Sequence, residues 1–281
     1  MAEPAVGGTP MPVRGPVLIT GTDTGVGKTI VTAAVAAAAT AHGLRVAVVK
    51  PGQTGVLAPS PAGGAPADLP APGQEWALES DVEIVVRLAA PATARTLVSY
   101  LHPLAPGAAA RVERRAPIRL GEVAAAVRAL VASHDLVLVE GAGGLLVPMG
   151  PAEPAPVDGT GRLGGPVGAA WTVAELAGLV GASVVVVARA GLGTLNHTAL
   201  TLEALAARGL AGCVVVGAWP AEPELVHRTN LTDLPGELAG VLPDGAGVLG
   251  PDQFRASASS WLAPSLYGVL DVAAFVAAQS A

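Results

Sequence analysis

Apolar runs and turn-forming residues alternate along this chain. Near-continuous Val, Leu, Ile and Ala runs at 16–22, 45–51, 135–141, 182–189 and 212–219 predict five strands. None of these runs alternates apolar with polar residues, which predicts burial on both faces of a sheet. Longer segments at 28–42, 81–90, 118–133, 172–180 and 195–208 predict helices. The tail from 222 onward is mixed, with a last helix expected near 266–278. Strand–helix repetition with such strands predicts an α/β fold, a mostly parallel central sheet flanked by helices on both faces. Sites in such sheets lie beyond the carboxyl ends of the strands.

Two stretches interrupt the rhythm. Residues 57–74 and 150–168 are rich in Pro, Ala and Gly and lack periodicity. Both are long for connections in a compact domain. They are expected as flexible insertions near the mouth of the site, either lids or passive linkers, and their composition offers few specific contacts. Residues 1–16 carry no basic segment followed by an apolar core, so they are expected as a disordered tail and not a secretory signal. Residues 17–281 are expected to form a single domain.

Composition narrows the partners. Of 281 residues 51% are hydrophobic and only 3% aromatic, so the core must be mostly Ala, Val and Leu, which suits close packing of helix on sheet. The longest apolar stretch, 30–41, is too short to span a bilayer. A net charge of −6 without a basic face argues against nucleic acid as a partner. The one cysteine, Cys213, cannot form an internal disulfide and fits a reducing cytoplasm. It lies in a Val-rich strand and reads as core. The cluster Arg111 to Arg115 reads as a solvated face.

Among 16 basic residues only Lys28 and Lys50 are lysines. Compositional bias explains why lysines are scarce, but not why both survivors follow strands inside Gly-rich turns. Lys28 closes Gly21-Thr22-Asp23-Thr24-Gly25-Val26-Gly27-Lys28-Thr29 between a strand and a helix. Backbone N–H groups of such a turn and the helix start supply positive potential to a phosphate. Gly25, Val26, Gly27, Lys28, Thr29 and Ile30 are therefore expected around a nucleotide. Lys28 would reach the β- and γ-phosphates, and the Thr29 hydroxyl would ligate Mg²⁺. Thr22 stands where the strict pattern has Gly, but strand and helix fall where they should. Glu140 ends a strand and precedes Gly141-Ala142-Gly143-Gly144, where a Mg²⁺ ligand belongs and where backbone can approach a nucleotide. Asp81 on its own residues reads as a helix cap.

The run at 21–29 resembles the phosphate loop of the dethiobiotin synthetase family. The likeness extends through Lys50-Pro51 with Thr54-Gly55, Ser80-Asp81, Glu140 to Gly144, and Gly193-Thr194-Leu195-Asn196-His197. It implies a P-loop NTPase-like fold. It also implies an ATP- and Mg²⁺-dependent carboxylation and ring closure of 7,8-diaminopelargonate with CO₂. In this reading Lys50 and Lys28 are catalytic. Thr29, Asp81 and Glu140 hold the metal, and Asp81 also contacts nucleotide. Thr24, Lys50, Thr54 and Asn196 face the organic substrate. The 193–197 loop reaches the substrate carboxylate of a neighbouring subunit, which implies a homodimer.

One departure stands out. Many family members carry a base-reading Asn where this chain has Val216-Gly217-Ala218-Trp219. Backbone groups at Val216 and Gly217 and around Leu242, Pro243 and Asp244 are left to serve, so other nucleoside triphosphates are expected to be accepted besides ATP. The alternatives are a partition-type ATPase switch, a cobyrinate-type synthase and a silent homologue. Partition ATPases carry a lysine at the position of Asp23. Cobyrinate-type synthases need a nucleophilic cysteine in a glutaminase domain, and Cys213 lies in a strand. Retained lysines and acids speak against the silent homologue.

Overall fold

The structure, a computed structural model, describes residues 12–55, 79–152 and 170–280. The insertions expected at 57–74 and 150–168 lie almost wholly outside the described residues. Nine strands and nine α-helices are described. In chain order they are β1 (Gly15–Gly21), α1 (Lys28–Ala41), β2 (Val46–Thr54), α2 (Asp81–Ala89), β3 (Thr93–Tyr100), α3 (Pro106–Val112), α4 (Leu120–Val131) and β4 (Leu136–Gly144). There follow β5 (Gly150–Pro151), β6 (Ala170–Trp171), α5 (Val173–Val180), β7 (Ser183–Ala188), α6 (Thr194–Ala206) and β8 (Gly212–Trp219). The chain closes with α7 (Leu225–Asp233), β9 (Glu237–Pro243), α8 (Pro251–Ser257) and α9 (Val272–Ser280).

Seven strands form one parallel sheet in the order β3-β2-β4-β1-β7-β8-β9. Successive side chains on a strand point to opposite faces, and here both faces are apolar. Val17, Ile19, Leu136, Leu138, Val185 and Val187 pack on the face covered by α1, α2 and α8. Leu18, Val137, Val139, Val184 and Val186 pack on the face covered by α3 to α6. Helix α1 has ten buried residues, six of them alanines. Short side chains let this helix lie close to the sheet, as the Ala-rich sequence predicts.

The expected five strands are present, but two more lie at the sheet edges. In β3 the sequence Thr-Ala-Arg-Thr-Leu-Val-Ser-Tyr is half-buried and mixed in polarity, as an edge strand is, so it lacks the continuous apolar run used to find the others. In β9 Gly240 interrupts the run. A Cβ there would come within 2.9 Å of Leu262 Cδ2 and 3.0 Å of the Trp261 carbonyl, so close packing demands the glycine. Helices α3 and α8 have only seven residues each, about two turns, and α7 is mostly polar, so none showed a periodic apolar stripe. The last helix starts at Val272, later than the expected 266, because Pro264–Leu266 forms a separate 3₁₀ turn.

Gly15, expected in the tail, opens β1 one residue ahead of the expected strand start at Pro16, and the Val13 N–H donates to the Ser265 carbonyl at 3.0 Å. The 111–115 cluster is not simply solvated. Glu113 is mostly buried and accepts from the His102 N–H at 2.8 Å, while the Arg115 guanidinium lies over the Tyr100 ring at 5.4 Å. No described helix is long and apolar enough to cross a membrane.

Sheet order sets up the site. β4 lies between β1 and β2, with Ile19 beside Glu140 and Val49 beside Val139 in register. The loop after β1, the end of β4 and the end of β2 therefore converge at one edge.

Candidate functional site

The loop from β1 to α1 is a phosphate cradle by geometry. Gly25 and Gly27 have φ of +71° and +96°, and Gly27 is the N-cap of α1. The loop is braced from β7 and β8. Thr22 N–H donates to the Val187 carbonyl at 2.9 Å. A Cβ on Gly217 would meet the Val26 carbonyl at 2.0 Å, so the end of β8 lies directly on the loop backbone. Asp23 pairs with Arg189 at 2.9 Å, on the exposed side.

Lys28 is 8% exposed and folds back, its Nζ donating to the Asp23 carbonyl at 2.8 Å. Burial, with the nearby Lys50 charge, pushes its pKa down to about 8. Next to it Thr29 Oγ1 donates to Glu140 Oε1 at 2.9 Å. Glu140 is buried, not a solvated strand-end acid, and its Oε1 also accepts from Lys50 Nζ at 2.8 Å. Lys50 Nζ further donates to the Gly141 carbonyl at 3.1 Å and pairs with Asp81 Oδ2 at 2.5 Å. One ammonium thus joins two carboxylates delivered by β4 and α2.

Asp81 does not cap its helix. Ser80 does: its hydroxyl accepts from the Glu83 N–H at 3.3 Å, and Glu83 Oε2 accepts from the Ser80 N–H at 2.7 Å. This frees the Asp81 carboxylate for Lys50.

Burial is the largest influence on each charge in the triad. It pushes Lys50 down, but the Glu140 and Asp81 carboxylates outweigh it and hold the ammonium above its ordinary pKa. It pushes Asp81 up, but Lys50 outweighs it and holds the carboxyl below its usual value. It pushes Glu140 up, and that direction wins because Lys50 offsets it only in part and Asp81 adds a second negative charge. Burial likewise drives the Cys213 thiol to about 12, which leaves it inert as core.

Asp81 and Glu140 oxygens meet at the Lys50 ammonium, and the Thr29 hydroxyl joins them through Glu140. That hard donor set fits Mg²⁺, which takes one or two carboxylates and fills its shell with phosphate and water. Among the described residues no cluster of three His, Cys, Asp or Glu could hold a metal by itself.

The cleft between the loop and β2 holds about 450 Å³ and is lined by Thr24, Gly25, Lys28, Ile30, Lys50, Thr54, Asp81 and Glu140, among others. It shares Thr24, Thr54, Ala142 and Gly143 with a neighbouring cavity of about 360 Å³, walled by Pro103, Leu104, Pro106 and Val147. These wall residues belong to the segment after β3 and the turn after β4, which carry no motif. Gln53, also missed, lines the first cleft; as a polar residue ending an apolar strand beside Lys50 it carried a usable signal.

Not every expected residue meets here. Asn196 lies exposed in the first turn of α6 and lines neither cavity. Val216 and Leu242 have buried side chains, which leaves only their backbone to a base. The Asp244 N–H donates to the Trp219 carbonyl at 2.7 Å and its carboxylate accepts from the Gly245 N–H at 2.9 Å, while Pro243 is exposed.

Two outcomes follow from the charges. Lys50→Met leaves two carboxylates without their ammonium, and is expected to cost about 3–5 kcal/mol in ligand-free denaturant unfolding; an unchanged midpoint would contradict the triad. A phosphate seated at Lys28 would need its ammonium charged and would raise its pKa again. Nucleotide affinity is therefore full below about pH 8 and falls as pH rises through it, with proton uptake on binding. Calorimetry near pH 9 in buffers of different ionisation heat measures that uptake, and zero uptake would refute it.

Comparison with known proteins shows the family. The AAA domain family model matches residues 16–153 and 151–245. The ATP-dependent dethiobiotin synthetase BioD of Streptomyces coelicolor is 48% identical over 270 residues, covering 94% of this chain and 98% of that protein. The protein of the same name from Rhodococcus jostii is 47% identical over 249 residues, covering 87% and 93%. Among solved structures, the septum site-determining protein MinD complexed with Mg-ADP from Pyrococcus horikoshii is similar with a TM-score of 0.48 and 17% identity, covering 88% of this chain and 95% of that one. Identity near one half, sustained across almost the whole of both synthetases, means that this chain belongs to the ATP-dependent dethiobiotin synthetase family.

Proposed function

We propose that this chain converts 7,8-diaminopelargonate, CO₂ and ATP to dethiobiotin, ADP and phosphate. The observation that carries the reading is the adjacency of two cavities that share Thr24, Thr54, Ala142 and Gly143. A charged cleft with two lysines lies beside a mostly apolar chamber suited to an aliphatic chain. An amine of the substrate adds to CO₂ and loses a proton, giving a carbamate. A carbamate oxygen attacks the γ-phosphorus and ADP leaves, giving a carbamic-phosphoric anhydride. The second amine attacks the carbonyl carbon, closes the ureido ring and expels phosphate.

Each step places negative charge between the phosphate loop and the end of β2. Phosphoryl transfer needs positioning and charge neutralisation more than covalent help. Lys50 stands on the floor of the cleft and would hold the carbamate. Lys28 turns from the Asp23 carbonyl to the β- and γ-phosphates, exchanging one acceptor for another. Thr24 and Thr54, at the junction of the two cavities, would orient the diamine. Mg²⁺ held by Thr29, Asp81 and Glu140 would supply further neutralisation of the polyphosphate. The exposed first turn of α6, with Asn196 beside exposed Leu192 and Leu200, supports a homodimer in which this turn serves the partner's site.

Incubation with diaminopelargonate, bicarbonate and Mg-ATP is expected to yield dethiobiotin and phosphate in equal amounts, measured by mass spectrometry and phosphate release. Phosphate without dethiobiotin would sink the reading. Per folded molecule, Lys50→Met is expected to lose about 10²–10³ in rate, the scale of one electrostatic stabiliser.

Nucleotide preference is expected to be relaxed. No side-chain amide lies in the run 216–220, and the Asp244 N–H is already paired with Trp219. Turnover with ATP, CTP and GTP is expected to be comparable. An ATP preference above about a hundredfold, the scale that dedicated polar readout gives, would show that a base contact exists.

A further inference from the structure

The residue that places Asp81 is Gln53. Its side chain is 6% exposed at the end of β2. Gln53 Oε1 accepts from the Asp81 backbone N–H at 3.1 Å, and Gln53 Nε2 donates to the Thr54 carbonyl at 3.2 Å. Both ends of the amide are therefore committed. The Asp81 N–H lies in the first turn of α2, where backbone donors have no partner within the helix. The capping box serves Ser80 and Glu83 and leaves the Asp81 N–H to Gln53.

The tie spans 28 positions of sequence. It joins the strand that carries Lys50 to the helix that carries Asp81. Lys50 makes the only other described polar tie between these two elements, and it does so through the Asp81 carboxylate. A cation that recruits that carboxylate weakens the Lys50 tie by competing for the same oxygens. The Gln53 tie runs through the backbone and is indifferent to what the carboxylate binds. We propose that Gln53 is the positioning residue that keeps Asp81 in the site when a divalent cation replaces Lys50 as its partner. The proposal rests on the reading of Thr29, Asp81 and Glu140 as metal ligands.

The test is Mn²⁺ binding, followed by electron paramagnetic resonance with ADP present and no organic substrate. Gln53→Met keeps the length of the side chain but removes the acceptor. It is expected to weaken Mn²⁺ binding about 10–100-fold, the scale for loss of an outer-shell partner. ADP affinity in EDTA is expected to stay within about twofold, since no metal is involved. Gln53→Glu restores an acceptor at the same reach and is expected to recover most of the loss. Should Gln53→Met fail to fold, Gln53→Ser, polar but too short to reach Asp81, is expected to show the same loss. Unchanged Mn²⁺ affinity in the folded variant, an equal loss of ADP affinity in EDTA, or no recovery in Gln53→Glu would each overturn the proposal. Failure of the underlying reading looks different: wild-type protein with ADP would then take up no Mn²⁺, and both ideas would fall together.

Discussion

Glu140 is a carboxylate buried at the end of the strand between the phosphate loop and the Lys50 strand, and the site is organised around it. Taking such a charge out of water costs several kcal/mol unless partners meet it in good geometry. Lys50 and the Thr29 hydroxyl meet it on the same oxygen, at 2.8 and 2.9 Å. Asp81 then adds a second carboxylate to the Lys50 ammonium. These contacts exist because β4 separates β1 from β2. Had the strands been ordered otherwise, the loop lysine, the strand lysine and the acid would not share one cleft.

Without ligand the site is neutralised from within. Lys28 rests on its own loop, Lys50 on two carboxylates, and Thr29 on Glu140. On the proposed function, phosphate, carbamate and metal would take over partners that already exist, so binding would exchange contacts and not strip charges bare. Electrostatic groups arranged in advance in a water-poor cleft act at little reorganisation cost. The same logic accounts for the low pKa of Lys28, which lacks a close carboxylate of its own and bears the cost of burial.

Small residues make this tight geometry possible. Alanines on α1 bring the helix down on the sheet, and Gly217 lets β8 touch the phosphate loop without a Cβ between them. The loop is thus braced by neighbouring backbone, not by bulky side chains. A chain with so few aromatics can hold a defined site because its core is built from many close contacts between small groups.

Much of this was legible in the sequence. Continuous apolar runs identify buried parallel strands, because burial on both faces leaves no polar alternation. The loop at 21–29 marks a nucleotide-binding P-loop through residue types alone, and the isolated Lys50 stands out as a candidate beside it. Edge strands β3 and β9 were not legible, since half-exposure and a packing glycine erase the run that betrays a strand. Nor does any local pattern state that Glu140 is buried, that Lys50 is shared by two acids, or that Gln53 ties β2 to α2. Those contacts join positions up to 111 residues apart, and only strand order brings them together. Residue chemistry therefore determined what this site handles, while the parallel sheet decided which charges neutralise one another.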